Sequence, residues 1–246
     1  MKLHSETLAR ERKLQTYWEQ VATTRWGNYI SEIERRIILQ AQSLAWNPTE
    51  ALEIGCEGGR WAKLLADMGW KLTCIDVDAV ALNQCRHRVP NAECILADPA
   101  DIAIPCESGS ISLLLCVEVA SVIGSDWFLS EVARVLRIEG IFVGTVWNKA
   151  SLRGLTATIR HNAKWHKNGT RFYTHTYRDW RRHLCDAGFD VVHEEGLCWA
   201  PFSRASNSPV IPFATRFERL LSLHHVPALS PWIAFIARKA NAKLKR

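Results

Sequence analysis

Residues 51–60 read Ala-Leu-Glu-Ile-Gly-Cys-Glu-Gly-Gly-Arg, an apolar run that carries one acid and then three glycines in five positions. This describes a buried strand that stops in a tight loop, because glycine reaches backbone angles that other residues resist. Trp61 to Met68 follows with helical apolar spacing. A strand, a glycine loop and a helix put backbone N–H groups at a helix N-terminus, where the carboxylate or hydroxyls of a cofactor can be received. Further on, Leu72-Thr-Cys-Ile-Asp-Val-Asp is a second strand ending in acid. About twenty residues after the glycine loop is the spacing at which a carboxylate, here Asp76, reaches ribose hydroxyls in a nucleotide-binding βαβ unit.

A dinucleotide is a poor fit. The G-x-G-x-x-G fingerprint needs glycines two and five positions after the first. Counted from Gly55, those positions hold Glu57 and Arg60. A carboxylate at Glu57 repels a pyrophosphate, which argues against an NAD(P)-dependent oxidoreductase. With Glu53, Gly55 and Gly59 in place, the chain resembles the class I S-adenosylmethionine (SAM)-dependent methyltransferases, whose first motif is an acid followed by alternating glycines. Its pattern is similar to that of the small-molecule members, including those acting on ubiquinone and menaquinone precursors. Glu57 stands where that family usually has glycine, and Gly58 follows at once.

The resemblance implies SAM as cofactor and assigns positions residue by residue. Glu53, Gly55, Cys56, Glu57, Gly58 and Gly59 form the loop around the methionine end. Glu53 is read either as a contact for the amino end or as a buried structural acid. Glu57 pairs with the cofactor's ammonium, pairs with Arg60, or is a solvated loop side chain. Asp76 receives the ribose hydroxyls, and Asp78 is the better N-cap of the next helix. Asp98 in Ala97-Asp98-Pro99 accepts from the adenine amino group, with Ile75, Val77 and Pro99 flanking the ring. Cys116, Val117 and Glu118 end a strand beside the sulfonium. Methyl transfer by in-line displacement depends mainly on alignment. An oxygen acceptor would also need a base, for which Glu118, His161, His166 and His175 are the candidates. Asn148 either binds substrate or caps a turn. No metal ligands are assigned.

These residues need a scaffold. Apolar periodicity predicts one or two helices over 5–45, then strand 51–55, helix 59–68, strand 71–76, helix 78–88, strands 92–97 and 111–116, helix 126–137 and strand 140–147. A helix from Tyr177 stopping at Gly188, a strand from Phe189 to His193, a helix near 213–223 and a last strand from Trp232 to Arg238 follow. Alternating β and α elements predict an α/β fold with a parallel sheet. The resemblance refines this to a Rossmann-like, seven-stranded, mostly parallel sheet with helices on both faces and an antiparallel last strand. A single domain over 1–246 is expected: an N-terminal helical cap (1–45), a SAM-binding core (46–150) and a substrate-side half (151–246) with a basic lid or insertion. Tyr17, Trp18 and Trp26 cover the site or pack in the core.

The chain of 246 residues has 31 basic and 25 acidic residues. Between Arg153 and His183 stand eight Lys/Arg, four His and only one acid, Asp179. Within Ser151–Lys167, Leu152, Leu155, Ile159 and Ala163 share a helical face beside Arg160, Lys164 and Lys167. Such a helix can close on an amphiphilic or anionic acceptor, lie on an anionic membrane surface, or pack on the sheet edge. Eight cysteines without a C-x-x-C pair read as reduced core residues of a cytoplasmic protein. The leading reading is a SAM-dependent methyltransferase with a small-molecule acceptor. RNA methylation and non-catalytic SAM binding are the alternatives. Nucleic acid is the weaker partner, since no RNA-binding module is visible. Oligomeric state is not legible.

Overall fold

The computed structural model describes residues 16–45, 49–162 and 172–241. Two helices open it, α1 (Tyr17–Ala22) and α2 (Arg25–Leu44). Thr16 starts α1 through a capping box, accepting from the Glu19 N–H while the Glu19 carboxylate accepts from the Thr16 N–H. The Thr24 hydroxyl starts α2 by accepting from the Gly27 N–H at 3.1 Å. The alternating region follows: β1 (Glu50–Ile54), α3 (Arg60–Ala66), β2 (Lys71–Asp76), α4 (Ala79–Arg88), β3 (Glu93–Leu96), β4 (Ile111–Cys116), α5 (Ala120–Ile123), α6 (Phe128–Val135) and β5 (Leu136–Trp147). The second half contains α7 (Leu152–Asn162), α8 (Tyr177–Asp186), β6 (Phe189–Leu197), α9 (Ile211–Leu220) and β7 (Trp232–Lys239).

The seven strands form one sheet in the order β3-β2-β1-β4-β5-β7-β6. β1 to β5 run parallel, and β7 is antiparallel to both β5 and β6. This is the expected seven-stranded, mostly parallel α/β sheet. From β1 the chain winds outward to β2 and β3, then returns to place β4 on β1's other side. Chains leaving β1 and β4 therefore diverge, and the carboxyl ends of these strands border a crevice, the usual ligand position in an open α/β sheet.

β4 is buried at every position, which explains why all its residues but Ser112 are apolar. An aromatic chain ties the second half to the first. Phe142 on β5 lies 5.9 Å from Phe128 of α6, 5.1 Å from Phe235 of β7 and 6.0 Å from Phe189 of β6, ring centre to ring centre. α2 packs against β5 and β7, presenting Ile30, Ile37, Ile38 and Ala41 from one buried face.

The boundaries around β5 and β6 differ from the sequence expectation. β5 begins at Leu136, not 140, and α6 ends at Val135. Leu136 pairs with Ile111 and Ile141 with Leu113, so extra residues bulge out between them. Glu139 in this bulge has a φ of +64°. The apolar spacing Val132, Val135, Leu136 continues the helical pattern across a chain that has already become strand. β6 runs on to Leu197 because β7 supplies a ladder partner for Glu194, Glu195 and Gly196, and the acids are met from outside, Glu195 by Arg36 and Glu194 by Tyr177 and Arg181.

Leu114 is fully buried in the central strand. Leu114→Ala is expected to cost about 2–5 kcal/mol, read as a lower urea midpoint with an unchanged denaturant slope.

Candidate cofactor and acceptor site

The turn from β1 into α3 visits the left-handed region three times, at Gly55 (φ +72°), Glu57 (φ +48°) and Gly59 (φ +74°). A Cβ on Gly55 would lie 2.3 Å from Val119 Cγ2, and one on Gly59 2.6 Å from Cys85 Sγ. At 57 a side chain is present, and the left-handed conformation costs it roughly 1–2 kcal/mol. That backbone requirement favours glycine at this position.

What Glu57 gains is a partner outside the loop. Its Oε1 accepts from the Trp18 N–H at 3.0 Å, one of the free donors in the first turn of α1. The loop side chain thus caps a helix 39 residues away in sequence. Two further contacts hold the same segment: an ion pair between Arg88 and Glu19, and Thr16, whose methyl lies close over Gly58. None of the three roles expected for Glu57 is this one.

A cleft of about 600 Å³ opens over the carboxyl ends of β1, β2 and β4. Glu53, Gly55, Cys56, Glu57, Asp76 and Glu118 line it, and Tyr17, Trp18 and Phe172 border it. Asp76 is held by the loop it faces: Oδ2 accepts from the Glu57 N–H at 2.7 Å and Oδ1 from the Asp78 N–H at 2.9 Å. Each oxygen keeps a lone pair for a further donor. Asp78 is the N-cap of α4, accepting from Val80 and Ala81. Gly58 and Gly59 carry the loop into α3. Cys56 and Cys116 are buried, Val77 is exposed, and Ile75 is buried. Asp98 and Pro99 are exposed after β3 and do not line the cleft. Asp98 Oδ1 accepts from the Ala100 N–H at 2.8 Å.

Along the cleft wall runs a largely buried group of charges that the glycine motif does not announce. Arg60 donates to Ser31 Oγ at 2.7 Å and to Glu34 Oε2 at 3.3 Å. Arg204 lies 2.6 Å from Glu118 Oε2, its guanidinium carbon 4.3 Å from the Trp18 ring centre and 4.6 Å from that of Trp232. Glu34 and Glu118 lie close enough for each to feel the other's charge. Burial, and then the Glu118 charge, pushes Glu34 well above the carboxylate range. Burial also raises Glu118 against the pull of Arg204 and Arg60. Burial raises Glu53, whose Oε2 has no partner among the described residues. Glu34 and Arg204 come from segments with no motif, so only the fold reveals them.

The other candidates lie elsewhere. His175 sits outside the cleft, its Nδ1 2.9 Å from Thr174 Oγ1 and its ring against His183. Burial lowers its pKa. His161 belongs to α7, but its side chain falls outside the described residues, as does all of His166. Asn148 is a buried turn cap: it donates to the Ala228 and Ser230 carbonyls and accepts from the Ala150 and Tyr177 N–H groups. Trp26 is in the core, stacked on Tyr29, whereas Tyr17 and Trp18 do border the cleft. The Leu152, Leu155 and Ile159 face of α7 is exposed, so it does not pack on the sheet.

Two measurements test this geometry. Glu57→Ala is expected to speed hydrogen exchange across residues 17–22 while leaving β4 protected, because the cap is local. Burial raises Glu34, Glu53 and Glu118 above their ordinary 4.5, so the native state keeps protons that the unfolded chain releases. Stability from these groups is fully present below pH 4.5 and is lost as pH rises through the raised values. Glu34→Gln should flatten that decline in a series of melts from pH 4.5 upward.

The residues present suit SAM. The cleft wall is acidic where a sulfonium and an ammonium would lie, an unpartnered buried carboxyl oxygen faces it, and a fixed carboxylate stands at the end of β2. Residues 52–144 match the family model described as a methyltransferase domain. An uncharacterised methyltransferase-like protein of Schizosaccharomyces pombe is 30% identical over 98 residues, 39% of this chain and 37% of that protein. A probable SAM-dependent methyltransferase of Mycobacterium tuberculosis is 26% identical over 115 residues, 46% of this chain and 41% of its own length. The matched stretch thus spans well under half of these relatives. Among solved structures, a putative SAM-dependent methyltransferase from Listeria monocytogenes superposes with a TM-score of 0.60 at 16% identity, covering 85% of this chain and 97% of that one. The geranyl diphosphate C-methyltransferase of Streptomyces coelicolor, solved with Mg2+, geranyl diphosphate and S-adenosylhomocysteine, gives 0.57 at 12%, covering 85% and 80%. Residues 52–144 thus match a methyltransferase domain, and the sheet around them has the fold of the SAM-dependent methyltransferases to which this chain is similar.

Proposed function

We propose that the chain transfers the methyl group of SAM to a small-molecule acceptor bearing an anionic group. The observation that carries the acceptor class is a pair of guanidiniums with buried nitrogens, Arg153 and Arg204, which both lie near Tyr173 and Cys198. Arg153 Nη2 donates to the Phe202 carbonyl at 2.9 Å. Arg153 Nη1 and Arg204 Nη2 are buried and have no hydrogen-bond partner among the described residues. A buried donor left unmade costs about 1–3 kcal/mol, and a carboxylate or phosphate would satisfy both arginines. Support also comes from the fold neighbour crystallised with geranyl diphosphate, an anionic small molecule.

When bound, SAM supplies a methyl group already activated on a sulfonium. The protein's part is then positioning. Asp76 receives the ribose hydroxyls, Glu53 and Glu118 give the methionine end an acidic wall, and Trp18 and Phe172 cover the cleft against water. Glu118, engaged by Arg204, orients that guanidinium toward the acceptor. An acceptor that is already nucleophilic needs no base from the protein.

Titration calorimetry with SAM and S-adenosylhomocysteine, followed by turnover on phenolic, quinone-like and lipid acceptors with and without acidic groups, tests the reading. Asp76→Ala should lose binding of both adenosyl ligands. Arg153→Met should leave SAM affinity unchanged and raise KM for the anionic acceptor about tenfold or more, as expected for a lost charged hydrogen bond. Turnover confined to RNA, or adenosyl binding with no turnover on any acceptor, would overturn it.

A further inference from the structure

Three cysteines far apart in sequence meet beneath the glycine loop: Cys56 in the loop, Cys74 on β2 and Cys85 on α4. All three are buried, and their sulfurs lie within 4.8 Å of one another. We propose that Cys56, Cys74 and Cys85 form a binding site for a soft metal ion of low coordination number, with Cu(I) the ion that fits best.

The donor set carries the argument. It consists of sulfur alone, and thiolates select soft ions such as Cu(I) over oxygen-seeking ones. Three sulfurs form the group. Structural Zn2+ almost always takes four ligands in a tetrahedron. A thiolate–metal bond of about 2.3 Å puts three coplanar sulfurs about 4 Å apart, so the observed spacing closes onto an ion with rotamer adjustments and no change of fold. A fourth sulfur, Cys94 Sγ on β3, lies 3.9 Å from Cys85 Sγ. Cys94 is only partly buried, so it offers an incoming ion a first contact from solvent before transfer inward. Binding joins the ion to the three sulfurs while their thiol protons leave to solvent, and no oxidation state changes.

Packing alone does not account for the cluster. Gly59 approaches Cys85 closely, which demands a small residue at 85, and alanine would meet that demand. Nothing in the contact demands sulfur at 56, 74 and 94 as well. The location also has a consequence. Cys56 stands between Gly55 and Glu57, and the Glu57 N–H holds Asp76, so an ion on Cys56 would fix the loop that orients the ribose acid.

The test is anaerobic titration of the fully reduced protein with Cu(I) alone, in competition with a chromogenic Cu(I) chelator. One equivalent should be retained against the chelator, with thiolate-to-copper charge-transfer absorption and an X-ray absorption shell of sulfur only. Cys74→Ala should weaken retention roughly a hundredfold or more, beyond what loss of an outer-shell partner causes. Cys56→Ser serves as a second variant where Cys74→Ala melts early. Cys185→Ser, an exposed cysteine, should change nothing. Complete stripping by the chelator overturns the proposal. So does retention that survives both ligand substitutions, or retention of Zn(II) in preference to Cu(I).

Discussion

The structure depends on one turn. Between Ile54 and Arg60 the chain must leave a buried strand and start a helix in five residues, and it does so with three left-handed positions. Each is tied to a neighbour that could not otherwise sit where it does. Gly55 leaves room for Val119, and Gly59 leaves room for Cys85. The left-handed Glu57 aims its N–H at Asp76 and its carboxylate at α1. Asp76, the β1–α3 loop and the N-terminal helix α1 are thereby held by a single residue's backbone and side chain. Strain at 57 is offset by capping at 18, a trade glycine could not make because it has no carboxylate.

The second organising element is charge in a low-dielectric place. Glu34, Glu53 and Glu118 are more acid than Arg60 and Arg204 can neutralise, so burial raises all three carboxyls. An isolated buried anion would be very costly, and this group lowers its cost by sharing cations and by holding protons. A cationic ligand entering the cleft changes that balance in its own favour. Arg204 lies between Trp18 and Trp232, so this guanidinium links the N-terminal cover, the end of β4 and the last strand.

Much of the architecture was legible in the sequence, because periodicity reports which face of an element is buried. β1, β2 and β4 and the helices between them stand close to the expected ranges, and Asp76 and Asp78 hold the expected places. The boundaries that moved did so for tertiary reasons. The bulge at Glu139 is set by pairing with β4, and the acids of β6 are tolerated because Arg36, Tyr177 and Arg181 reach them. The site was legible where it is local and hidden where it is assembled. Glu53, Gly55 and Asp76 sit in motifs. Glu34, Arg153, Arg204 and the thiol cluster are made by elements that meet only in the fold. Glu57 was visible as an exception, but its partner, a backbone N–H 39 residues earlier, has no side-chain signature.

The sheet order also has a bearing on assembly. β7 follows β6 in the chain yet lies between β5 and β6. Until β7 inserts, β5 has an open edge and β6 has no ladder partner at all. The parallel strands β1 to β5 can pair among themselves without it. The loop bearing Arg204 runs from β6 toward β7, and the ring of Trp232, the first residue of β7, is one of the two surfaces Arg204 packs on. Closing so long a chain segment is entropically slow compared with local βα pairing. The sheet's division is therefore also a division in time: the parallel strands β1 to β5 can pair first, and Arg204 takes its place against Trp232 only when the last strand zips in.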